Sequence, residues 1–144
     1  MTNPTSRAIV KGVWAALGAV AIALSLLILL GCLMVVYGGG PEAEAWLRFT
    51  IAGLYVVLVV GSTVSGYVAS VHDPARWVLS AALAAVAFEL VTILANTLAF
   101  GVYMGRPGLL LLSWLIAFAE AAVLGVTAAW IGVFWRRRKT RALA

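Results

Sequence analysis

Charge is what this chain lacks most. Only 10% of its 144 residues are Asp, Glu, Lys or Arg, where a water-soluble domain carries about a quarter. There is one histidine, one cysteine and four prolines. A single cysteine, Cys32, excludes an intramolecular disulfide. It has no thiol or histidine partner at helical spacing and reads as a small packing residue. His72 lies beside Asp73 and reads as a solvated loop residue. So few polar groups form no Ser, His and acid pattern, no glycine-rich phosphate loop and no metal-ligand cluster. The sequence therefore points away from an enzyme and calls for no cofactor.

What is present is apolar. Hydrophobic residues make up 65% of the chain, and its mean hydropathy is +1.10. In water such a chain would expose far too much apolar surface, so lipid is the expected solvent. Four apolar stretches stand out, over about 13–37, 46–70, 77–103 and 109–135. Each exceeds the roughly 20 residues that a helix needs to cross about 30 Å of hydrocarbon. Backbone groups in hydrocarbon find no water, so each stretch must be helical. The expected fold is all-α: one antiparallel bundle of four transmembrane helices over residues 1–135, followed by a basic tail over 136–144. The chain is too short for an added soluble domain. Leu29-Leu30-Gly31-Cys32 loosely resembles a lipoprotein cleavage box. The apolar run continues to Tyr37, however, beyond the roughly 7–15 residues of a secretory segment, so a retained first helix is expected.

The breaks between stretches carry turn chemistry. Gly38-Gly39-Gly40-Pro41 ends the first. Asp73 is placed to cap the third helix, with Pro74 in its first turn. Gly105-Arg106-Pro107-Gly108 separates the third from the fourth. Trp14, Trp46, Trp77, Tyr103 and Trp135 lie near stretch ends, where aromatic belts sit. Short loops make consecutive helices antiparallel neighbours.

Four spans place both termini and the middle loop on one side. That side holds Arg7, Lys11, Arg76, Arg136, Arg137, Arg138, Lys139 and Arg141; the other holds only Arg48 and Arg106, with Glu42 and Glu44. The excess predicts a multi-pass protein of the plasma (inner) membrane with both ends in the cytoplasm. Half of the basic residues sit in the tail, which suits anionic lipid headgroups. A basic face on a folded element is missing, so no nucleic-acid partner is expected.

Two acids fall deep inside the apolar stretches. Glu89 and Glu120 each lie about a dozen residues from the nearer end, roughly 18 Å into the bilayer at 1.5 Å per residue. A charge there costs at least about 2.5–3.5 kcal/mol. Ala85, Glu89, Thr92 and Asn96 share one face of the third helix. Ser113, Glu120 and Thr127 recur every seven residues on the fourth, as Gly18, Ser25 and Cys32 do on the first. Gly61, Ser65 and Gly66, with Ser62, Ala69 and Ser70, give the second helix a small-residue face for close helix packing. All four helices are thus expected to turn small or polar faces inward.

Two readings of the acids follow. In one they are glue, hydrogen-bonded to Asn96, Ser25 or Ser65, in an accessory or homo-oligomeric subunit that assembles through the Gly61/Ser65 face. In the other they form a site for a proton, a cation or a cationic substrate in a small transporter or channel, because two neighbouring carboxyl groups resist ionising together. The segment Gly61-Ser62-Thr63-Val64-Ser65-Gly66-Tyr67-Val68-Ala69, with the short loop and alanine-rich helix after it, resembles small four-helix bacterial membrane proteins of the YrzE-like kind. That resemblance covers the middle third of the chain and implies the four-helix fold, with no activity attached. Small multidrug transporters also have four helices and a membrane glutamate, but theirs is in the first helix, and this first stretch has no acid.

Overall fold

The computed structural model describes residues 3–38, 43–100 and 107–142. Gly39, Gly40, Pro41, Glu42, Tyr103, Gly105 and Arg106 lie outside the described residues, as do the side chains of Glu44, Asn96, Lys139 and Arg141. Four helices are present: α1 (Pro4–Gly38), α2 (Ala43–His72), α3 (Trp77–Phe100) and α4 (Pro107–Ala142). All four are long and apolar enough to cross a membrane.

Two helices run past the expected stretches. α1 starts at Pro4 rather than near residue 13. Asn3 caps it: its side-chain oxygen accepts from the Thr5 amide at 3.2 Å, and Pro4 occupies the first position, where its missing N–H costs nothing. α4 continues through the basic segment to Ala142 instead of ending at residue 135. Arginine and lysine are good helix formers, and no glycine or proline interrupts them. Between α2 and α3 a single 3-10 turn, Pro74–Arg76, is capped by Asp73 as expected, with the Arg76 amide donating to its carboxylate at 3.3 Å.

α2 and α3 form the centre. α1 packs on both, and so does α4, with far less contact between α1 and α4 themselves. The Thr5 hydroxyl donates to Asp73 at 2.7 Å, tying the start of α1 to the end of α2. Gly31, late in α1, faces the rings of Trp46 and Phe49, early in α2. These contacts make α1 and α2 antiparallel. Tyr67 of α2 lies against Gly132 and below Arg136 of α4. The start of α1, the α2–α3 turn and the end of α4 therefore share one end of the bundle.

The interior is built from small residues. Ala8, Ala16, Ala69, Ala81, Ala84, Ala85, Ala121 and Ala129 are buried with Ser62, Ser65, Ser70 and Ser80. Phe88 is the one bulky side chain fully buried among the described residues. Leucine, isoleucine, valine and tryptophan cover the outside, with Trp14 and Val36 more than two-thirds exposed. A protein folded by water would do the reverse. Small interior residues let helix backbones approach, the packing that suits hydrocarbon surroundings.

Candidate functional site: a two-carboxylate cavity

On α2 and α3 the expected inward faces are the observed ones. Gly61, Ser62, Ser65, Gly66, Ala69 and Ser70 are buried, as are Ala85 and Glu89, with Thr92 half-buried. Gly61 packs under Phe88, and Gly66 meets the backbone of Gly125 on α4. The Gly61/Ser65 face is therefore packed against the chain's own helices.

On α1 and α4 the seven-residue stripes face the other way. Gly18, Ser25 and Cys32 are exposed, and so are Ser113, Glu120 and Thr127. The buried faces are instead Ala8, Gly12 and Ala16 on α1 and Ala121, Gly125 and Ala129 on α4. Four-residue spacing of small side chains outweighs a seven-residue polar pattern, because a small hydroxyl need not be inside to be satisfied. Ser25 donates to the Ala21 carbonyl at 2.8 Å, and Thr127 to that of Val123 at 2.7 Å. Each closes its bond within its own turn.

The same local bonding occupies the two serines named as glue, while the third partner, the Asn96 side chain, lies outside the described residues. Ser65 donates to the Ser62 carbonyl at 3.0 Å, and Thr92 to that of Phe88 at 3.1 Å. Neither Ser25 nor Ser65 reaches Glu89 or Glu120. The side chain–side chain hydrogen bond from Thr5 to Asp73 lies at the end of the bundle, away from both acids.

Glu89 and Glu120 come together in a cavity of about 410 Å³ between α2, α3 and α4. α3 supplies Glu89, α4 supplies Glu120 with Ala117 and Leu124, and α2 supplies Tyr55, Leu58, Val59 and Ser62. Glu89 is 4% exposed and Ser62 is 1% exposed. Neither side chain makes a hydrogen bond with any described residue. No fully enclosed side-chain nitrogen or oxygen among the described residues lacks a partner. The polar ends of Glu89 and Ser62 must therefore open onto the cavity. Glu120 reaches it from the outer side. The walls are otherwise apolar, and no cation lines them, so two like charges would face each other there with little screening. No group of three metal-ligating side chains occurs among the described residues.

Ser62 and Tyr55 are the cavity residues that sequence reasoning passed over as site members. They lie seven residues apart, and so on one face of α2, which was a readable signal. The face itself was read for packing only. No family model, curated protein or solved structure matches this chain.

Proposed function

We propose that this is a non-enzymatic integral membrane protein that binds a proton or small cation between Glu89 and Glu120 and carries it through the bundle. One observation supports this above the rest. A carboxyl group 96% buried in an apolar bundle has no hydrogen-bond donor among the described residues and opens onto a cavity that holds a second carboxyl group. Ionisable residues inside a membrane face the bundle interior or a cavity, pair with one another and mark proton and ion pathways. A bound proton or cation relieves the repulsion between the two carboxyl groups. Ser62 and Tyr55 offer hydroxyl oxygens to the same ion. The protein sits in the plasma (inner) membrane with both ends cytoplasmic, because the basic residues gather at the end of the bundle that holds them.

A hydrophobic carbodiimide tests access to the site, since it modifies carboxyl groups that carry a proton and are reached from lipid. We expect adducts on Glu89 as well as Glu120 in membranes, and loss of the Glu89 adduct when Ala117→Phe fills the cavity. Modification of Glu120 alone in the wild type would show that the cavity does not serve the buried acid.

The exposed Ser113, Glu120 and Thr127 stripe supports a second reading, an accessory subunit or homo-oligomer joined along α4. A lone monomer by native mass measurement in mild detergent, with no co-purified partner, would remove it.

A further inference from the structure

A second and larger cavity lies away from the acids. It is a groove of about 1020 Å³ between α2 and α4, toward the end of the bundle that carries the basic residues. Val64 and Tyr67 wall it from α2, and Ala128, Ile131 and Trp135 from α4, with Arg136 and Arg138 at its mouth. The groove is open to the outside and apolar along its length, with its charge confined to one end.

Local geometry holds the two guanidinium groups there. Arg136 donates from Nε to the Gly132 carbonyl at 3.2 Å, and its guanidinium carbon lies 5.9 Å from the Tyr67 ring centroid. Gly132 is what lets that ring approach, since a Cβ at 132 would overlap it. Arg138 stacks over Phe134 at 4.5 Å. An arginine held over an aromatic ring loses less freedom when it takes up an anion, and its planar fork matches phosphate oxygens. Trp135 stands beside them, 71% exposed, the residue type that settles at headgroup level.

We infer that this groove binds one anionic glycerophospholipid, with an acyl chain between α2 and α4 and its phosphate on Arg136 and Arg138. Charge complementarity selects this occupant. An anionic headgroup brings net negative charge to the two guanidinium groups, a zwitterionic headgroup brings a cation along with its phosphate, and a free phosphate would leave the apolar walls empty. The inference rests on membrane insertion but not on the role of Glu89, so the two stand or fall separately.

Native mass spectrometry of the protein in a neutral maltoside detergent provides the test, with palmitoyl-oleoyl phosphatidylglycerol set against the phosphatidylcholine of the same chains. We expect one phosphatidylglycerol to be retained, with a preference on the order of tenfold or more for two headgroup-level cations. Arg136→Gln with Arg138→Gln should abolish the preference, whereas Arg137→Gln, outside the groove, should leave it. Ala128→Phe, which narrows the groove, should weaken retention of both lipids. Equal retention of the two lipids by the wild type would overturn the inference. So would an equal loss in Arg137→Gln, which would mean diffuse attraction to the tail, or displacement of the lipid by excess inorganic phosphate. Loss of carbodiimide reactivity at Glu89 would leave this result untouched.

Discussion

At the scale of single residues, the bundle depends on places where a side chain would not fit. A Cβ at Gly66 would run into the backbone of Gly125, and one at Gly125 would come within 2.7 Å of the Ala85 methyl and 2.9 Å of the Ala81 carbonyl. Gly18, by contrast, has nothing within 4 Å. Helix propensity favours alanine over glycine by about 0.8–1 kcal/mol at all three positions. Overpacking costs typically about 1–3 kcal/mol and outweighs that gain only where backbones touch. Gly66→Ala and Gly125→Ala should therefore lower the melting temperature in detergent, and Gly18→Ala should raise it slightly. A stabilised Gly125→Ala would contradict the observed approach of α2, α3 and α4. The two acids show how far residues can be read from sequence alone. Their depth follows from counting along the stretches. That they share one cavity with Ser62 follows only from how α2, α3 and α4 pack.

At the scale of elements, α1 is the least embedded helix. It packs mainly on α2 and α3, and Leu24, Leu26, Ile28 and Leu29 are exposed along it. What fixes its start is polar: the Thr5 hydroxyl, 7% exposed, donates to Asp73, 6% exposed, which also caps the turn before α3. A hydrogen bond to a charged group contributes about 1.5–3 kcal/mol. Thr5→Val should lower stability by an amount in that range, while Ser6→Ala, whose hydroxyl bonds only the nearby Asn3 carbonyl, should change it far less. Equal effects in a melting series would remove the tie. The elements were legible in unequal measure. Length and hydropathy revealed all four helices. The Asn3-Pro4 start of α1 was present as a cap signal, but the apolar run hid it, because hydropathy marks where lipid begins rather than where a helix begins. The inward faces of α1 and α4 were misread for a further reason. Ser25 and Thr127 satisfy their hydroxyls within their own turns and need not face inward, whereas Gly12 and Gly125 stand where neighbouring helices come closest.

At the scale of the whole molecule, small residues inside, large apolar residues outside and basic residues at one end combine into a bundle with three notable polar features among the described residues. These are the two-carboxylate cavity, the arginine-rimmed groove and the Thr5–Asp73 tie. Orientation is the first whole-molecule prediction. With Cys32→Ser as background, an impermeant thiol reagent on intact cells should label Glu42→Cys and spare Arg137→Cys; the opposite pattern would place the termini outside. The central claim is that Glu89 and Glu120 carry an ion rather than hold helices together. Glutamine keeps hydrogen-bonding capacity but cannot titrate, so it separates the two roles. The deciding measurement is proton and monovalent-cation flux into proteoliposomes for wild type, Glu89→Gln, Glu120→Gln and the double variant, with melting temperatures of the same samples. Flux in the wild type, lost in each single variant at unchanged melting temperature, is the predicted result. Absence of wild-type flux at every pH between about 5 and 9, a window wide enough to reach a buried carboxyl group, would contradict it.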